Sequence, residues 1–382
     1  MVVPARPRLV LVLAVVAAFV LWPARPAAAL VGADPDDGTP ETNGRVYAVA
    51  YLGGTVYIGG SFTSVNGSPR NRLAAFQAAS PHTLLPWNPN ANGPVRALKV
   101  SPAGTRVYAG GDFTVVGGLP RARVAALSPT GSGAPMGWRP YVNDSVKAVT
   151  TSNSGATVYL GGDFDSAAGA GRPHLAAFGA TSGKLSPGFR PAVSNGSGNF
   201  ATVLSMDVSA DGRSLYFGGD FARVNGHARR NAAAVSTGLA TLRAWSPSAT
   251  ADVVGELTVS ASGRTVFVGG RSAGGYAQAY GPNVGGSPVW NVGTDGDVEA
   301  LAVSSSILYL GGHFTSVGGV SRHHLAALRA SGGALQSWNP DADSPFGAFG
   351  AAISRSRVAF GGEFTVVEGE NHQGVVQFSG TP

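Results

Sequence analysis

The chain has 382 residues, a formal net charge of +6 from 27 Lys and Arg against 21 Asp and Glu, 56 Gly and no Cys. Zero Cys excludes a disulfide framework and thiol chemistry, and a modest charge with no basic run argues against nucleic acid as a partner. A chain of this size buries enough apolar surface to fold without covalent staples.

Arg6 and Arg8 precede an unbroken apolar run from Leu9 to Trp22, and Ala27-Ala28-Ala29 follows. A basic flank, a short apolar stretch and small residues at the end read as an export signal over residues 1–29, cut before Leu30. The run is short for a membrane anchor, which takes about 20 apolar residues, and no later stretch resembles one. A released, extracellular, monomeric protein with no stable membrane insertion is expected. Removal of the signal takes Arg6, Arg8 and Arg25 and no acid, leaving a formal charge of about +3.

Residues 30–44 are acidic, turn-rich and aperiodic, and alone read as a flexible leader. From residue 45 to residue 382 one unit recurs. Its first copy is VYIGGSFTSVNGSPRNRLAAF, Val56 to Phe76: an apolar run ending in Gly-Gly, a polar loop with Arg, and a second apolar run. The first glycines of the pairs are Gly59, Gly110, Gly161, Gly218, Gly269, Gly311 and Gly361, at separations of 51, 51, 57, 51, 42 and 50 residues. Such a unit cannot bury its apolar faces alone, so neighbours must stack.

In the second copy, strands are predicted over Val95 to Val100, Arg106 to Gly111, Arg123 to Ser128 and around Trp138, joined by turn signals such as Ser101-Pro102-Ala103-Gly104. Four strands per unit and no amphipathic helix predict an all-β fold, a seven-bladed β-propeller with four-stranded blades. The seventh blade has only Phe349 to Ser354, Arg357 to Gly361 and Gly374 to Ser379. The leader, near Gly38, is therefore expected to supply its missing outer strand and remove an exposed edge.

The Gly-Gly pairs end strands and lack a following Gly-Lys-Ser/Thr, so they read as close backbone approach rather than a phosphate loop. Trp87, Trp138, Phe189, Trp245, Trp290 and Trp338 share one slot of the outer strand; recurrence favours packing over a sugar-stacking ladder, because sites usually break a repeat's symmetry. Asp112, Asp163, Asp220 and Glu363 follow their Gly-Gly pairs, with Arg121, Arg172, Arg229 and His372 further along the same loops. These are expected to form ion pairs that staple each loop.

The pattern VYxGGxF, polar loop, R-x-R/H-L-A-A-F/L, turn, W-N/R-P resembles the delta-60-type β-propeller repeat of secreted bacterial proteins and, less closely, the kelch repeat. The resemblance implies the propeller fold over the mature chain and no defined activity. Blade five, GGRSAGGYAQAY from Gly269 to Tyr280, departs most from the pattern.

No Gly-x-Ser-x-Gly elbow or His-Glu-x-x-His motif occurs. An enzyme would depend on paired carboxylates, and the best candidates, Glu256 and Glu299, fall one register apart, which in a regular strand sends them to opposite faces. Catalysis is therefore not expected, and no cofactor is implied. The expected function is a non-catalytic binding or scaffold module for a protein or glycan of the cell envelope; the alternatives are a carbohydrate-active propeller enzyme and a metal-dependent binding protein. Departures from the repeat cluster in blades five to seven on the face of the second-to-third strand loops, giving His313, Arg322, His323, His324, Glu363, Glu368, Glu370 and His372 as the candidate ligand-binding set. Imidazole and carboxylate there suit a metal, and Asp295, Asp297, Asp341 and Asp343 suit Ca²⁺. Replacing His313 and His324 by Ala is expected to weaken binding without lowering the melting midpoint.

Overall fold

The computed structural model describes residues 30–196, 200–248, 253–271, 274–283 and 285–380. The expected export signal, residues 1–29, lies outside the described residues. Among them no helix occurs, and the strands form seven antiparallel sheets, one per sequence repeat, with small hairpins in the polar loops. The first repeat supplies an inner strand Val46–Leu52, a middle strand Thr55–Gly60 and a third strand Leu73–Gln77 in that order across the sheet. The inner strands of successive repeats contact one another, and that of the first also contacts Ala348–Ser354, the inner strand of the seventh. Predicted strands hold closely: the second repeat has Val95–Val100, Val107–Gly111 and Val124–Leu127.

Among the described residues the expected fourth strand is a full ladder only in the fifth repeat, where Trp290–Gly293 pairs with Tyr276–Tyr280. In five other repeats it shrinks to one bridge, such as Phe76 with Leu84 or Leu127 with Pro135. Proline explains the difference. The other outer segments carry Pro two residues after the aromatic, as in Trp87-Asn88-Pro89, and Pro has no N–H to extend a ladder; the fifth has Val292 instead.

The aromatic slot packs the seams. Trp87 meets Tyr57 edge-on at 5.0 Å, and its Nε1 donates to the Ser128 carbonyl of the next repeat at 2.8 Å. Trp138 and Trp290 donate likewise to Gly179 and Ala330. Gly-Gly is required sterically: a Cβ on Gly59 would lie 2.7 Å from Val95 of the next repeat, and one on Gly60 would run into the Arg45 carbonyl.

The leader is ordered by the seventh repeat. Gly32 N–H donates to Ser379 O at 2.9 Å and Asp36 N–H to Gln377 O at 2.7 Å, so residues 32–36, slightly before Gly38, flank its third strand. Trp338 Nε1 donates to Gly32 O at 2.8 Å, while Val31 N–H reaches Tyr309 Oη at 3.2 Å. Gln377 Nε2 and Ser379 Oγ both donate to the Asp36 carboxylate, at 2.5 and 2.6 Å.

Candidate functional site

Every inner strand begins with the same irregularity. Its register against the middle strand slips by one residue within the first four positions, as between Val46 and Ala48 or Val254 and Glu256. A bulge sets two residues opposite one and re-aims a side chain. The bulged residues are Tyr47, Arg96, Lys147, Leu204, Gly255, Glu299 and Phe349, and all line a cavity of about 890 Å³ bounded by the inner strands of all seven repeats. Glu256, one register on, lines it too. The expectation that Glu256 and Glu299 face opposite ways is thus wrong, because it assumed a regular strand.

The expected loop staples are also corrected. Asp112 pairs with Arg96 at 2.6 Å, Asp163 with Lys147 at 3.1 Å and Glu363 with Arg45 at 2.7 Å, all bases on or beside inner strands. The acids also tie adjacent repeats, since Ser145 Oγ donates to Asp112 and Thr202 Oγ1 to Asp163. Burial works to raise the Asp112 carboxyl, but the bonds from Arg96 and Ser145 outweigh it and hold it below its usual range. The loop arginines instead bond carbonyls: Arg121 donates to Pro120 O and Met136 O, and Arg322 to Ser321 O and Gln336 O. The loop base is closer to the outer connection than to the acid.

At the loop-side mouth a run of aromatic and guanidinium groups crosses from the seventh repeat to the second. Arg45 lies 4.8 Å over Phe346 and 6.0 Å over Phe349, Phe349 is 5.6 Å from Tyr47, and Arg96 lies 5.4 Å over Tyr47. Phe346 is 47 % exposed. His313 extends the run, 6.3 Å from Phe346 and stacked on His324 at 6.2 Å.

The wall of repeats four to six is acidic. Ser205 Oγ donates to Glu256 Oε1 at 2.5 Å, and Leu257 N–H donates to the same oxygen at 3.1 Å. Glu256 lines the cavity half-buried, and burial pushes its carboxyl up to about 7. Asp207 accepts Val259 N–H at 2.9 Å. Arg271 bonds Glu299 at 2.8 Å, and burial still raises the Glu299 carboxyl. Gly255 makes room for that arginine, since a Cβ there would lie 2.9 Å from Arg271 Cγ.

Of the predicted ligand set, His323 and His324 line one cavity of about 510 Å³ with Asp341 and Asp343, and the other members lie outside that lining. His324 is buried at φ +65°, with Nδ1 3.1 Å from the Gly312 carbonyl, and burial lowers its pKa. Arg72, Arg123, His174 and Asn231 hold the equivalent left-handed position, so His324 serves the loop's shape. His372 is also buried and lowered by burial, with Glu370 at 3.7 Å. His323 pairs with Asp341 at 2.7 Å in the open, and Glu368 accepts Asp341 N–H. Glu363 joins the mouth through Arg45. Among the described residues no three His, Asp or Glu converge to hold a metal. Asp295 and Asp343 clamp the backbone of Thr315 and Ser316, and of Thr365 and Val366, as Asn92 clamps Thr114 and Val115. The burial of His324 overturns the expectation of a harmless double replacement: His324→Ala is expected to cost roughly 1 to 3 kcal/mol by leaving the Gly312 carbonyl unbonded, and His313→Ala next to nothing. Thermal melting of the two single variants checks this.

A family model described as "Domain of unknown function (DUF5122) beta-propeller" matches residues 54–76. The chain contains a β-propeller domain. Among solved structures, the computationally designed Ika8 protein is similar at a TM-score of 0.52 and 13 % identity, over 89 % of this chain and 97 % of that one; at that identity the likeness concerns fold alone. No curated protein matches the chain. The mouth residues Tyr47, Phe346 and Phe349, and the acid Glu256, are absent from the sequence-derived set. Glu256 had a readable signal: the other repeats place Ala48, Ala97, Ala148, Ser205, Ala300 and Gly350 at its position.

Proposed function

We propose that the protein is an exported, seven-bladed propeller, closed by its leader at blade seven, that acts as a non-catalytic binding or scaffold module at the cell envelope or outside the cell. Its ligand, a glycan or protein, engages the loop face at the channel mouth. The supporting observation is the aromatic and guanidinium run from Phe346 to Arg96. The Trp and Tyr pairs of the seams recur in nearly every repeat and serve packing, whereas this run occurs once and leaves Phe346 half exposed. Arg45 and Arg96 are already matched by Glu363 and Asp112, so the surface is stacked, fixed and nearly neutral rather than an anion trap. In a binding screen against envelope glycans and surface proteins, Phe346→Ala is expected to weaken the retained ligand about tenfold, the cost of losing a central aromatic contact. Leu239→Ala, exposed on the opposite face, is expected to leave binding unchanged. Equal binding by both variants would remove the loop face from the reading.

A carbohydrate-active enzyme is the second reading, supported by Glu256 and Glu299 lining one channel with Glu256 near the pKa of a general acid. Glycan hydrolysis abolished by Glu256→Gln would favour it; no turnover across the same glycans would leave the binding module.

A further inference from the structure

The departures of repeats four to six converge on one stretch of channel wall. Glu256 is the sole large side chain at its position; Gly255 empties the neighbouring place so that Arg271 can reach Glu299; Ser205 supplies a hydroxyl where four other repeats have Ala. Asp207, Glu256 and Glu299 face the cavity from this side, and the lining cation among them is Arg271. The other lining cations, Arg45, Arg96, Lys99 and Lys147, come from repeats one to three, and Arg45, Arg96 and Lys147 are held by Glu363, Asp112 and Asp163. Charge is therefore unevenly placed around the channel, with the net negative stretch on repeats four to six. Glu299 is 10 % exposed at its side chain and gives one oxygen to Arg271, while its Oε2 is buried without a donor. Coulombic repulsion from Asp207 adds to burial in opposing ionisation of Glu256.

A wall with three carboxylates and one guanidinium along a channel favours a ligand that brings positive charge and hydrogen-bond donors. A bare divalent ion fits poorly, because among the described residues no three acidic or imidazole groups meet at one point. A cavity of about 890 Å³ accepts an organic body of several rings or an extended chain. We propose that the channel wall formed by Ser205, Asp207, Glu256, Arg271 and Glu299 is a subsite for the protonated primary amine of a small organic ligand, with an amino sugar and a polyamine as the two sources of that chemistry. The ammonium pairs with Glu256 and Glu299, and neighbouring donors on the ligand satisfy Asp207. The inference rests on the channel being a ligand site, but not on the mouth residues.

Isothermal titration at pH 7 of residues 30–382, which carry every described strand, tests it with three probes: a glucosamine trimer, its fully N-acetylated counterpart and spermidine. At least one amine is expected to bind, and the N-acetylated trimer at least tenfold more weakly or not at all. Binding by the glucosamine trimer alone assigns an amino sugar, and binding by spermidine alone assigns a polyamine. Glu256→Gln, which keeps shape and the Ser205 bond while deleting charge, is expected to lower amine affinity about tenfold, as is Asp207→Asn; acidification to pH 5.5 does the same in the unmodified protein. Equal binding of the acetylated trimer, indifference to both substitutions, or no amine binding overturns the proposal. Leu239→Ala, exposed on the opposite face, should leave amine affinity unchanged; the binding screen with Phe346→Ala tests the mouth and these titrations test the wall, so failure of one is read separately from failure of the other.

Discussion

Removing residues 30–40 is expected to lower stability by on the order of 5 kcal/mol, a large part of what holds a domain folded. Val31 is 5 % exposed and packs with Trp338, Phe360 and Phe378, and Leu30 packs against the same cluster. Full burial of a side chain such as Val31 contributes about 1.5 to 3 kcal/mol, and the half-buried Leu30 contributes less. The truncation also strands polar groups that found partners only in the leader: Trp338 Nε1, Tyr309 Oη, and Gln377 Nε2 in part. Each orphaned group adds roughly 1 to 3 kcal/mol if it stays buried. The third strand Val375–Ser379 becomes an open edge, so reduced solubility should accompany the lower midpoint. Thermal denaturation of residues 30–382 and 41–382 gives the comparison. Equal midpoints and equal solubility would show that the leader's bonds are incidental.

Glu256→Gln is expected to stabilise the protein at pH 8 and to do little at pH 5. The folded chain holds the Glu256 proton up to about 7, against a usual value of 4.5 for the carboxyl. Across that window the native state binds more protons than the unfolded chain, so stability is fully present below 4.5 and declines as pH rises through 7. One pKa unit corresponds to about 1.4 kcal/mol, which makes the loss on the order of 3 kcal/mol by pH 8. Gln carries no charge to desolvate and can still accept from Ser205. Melting midpoints of the two proteins should therefore coincide near pH 5 and separate by several degrees at pH 8, with the variant higher. A destabilised variant at pH 8 would mean that the ionised carboxylate is well solvated in the channel. Stability given up at one position of an otherwise uniform repeat is the expected mark of a functional group.

Local repetition made the strands readable: Val95–Val100 in the structure has the bounds expected from its apolar run, and the Trp slot and Gly-Gly pairs do the packing their recurrence implied. The site was less readable, for three physical reasons. A one-residue bulge at the start of each inner strand is invisible to alternation, and it turns Glu299 toward the same channel as Glu256. Ion partners come from an inner strand paired across the sheet, so Asp112 finds Arg96 rather than the loop arginine. His324 looks like a ligand by residue type, but a left-handed backbone and the Gly312 carbonyl account for it. Broken symmetry was applied to loops, whereas its strongest instance, Glu256, sits on a strand.

The most direct test of the claim that ligand engages the loop-side channel is hydrogen–deuterium exchange of residues 30–382 with and without the glycan or protein retained in the binding screen. Protection is expected in residues 344–350, 45–51 and 253–259, with turns such as 101–104 and 260–263 on the opposite face unchanged. Protection confined to those opposite turns, with none at the channel strands, would contradict it.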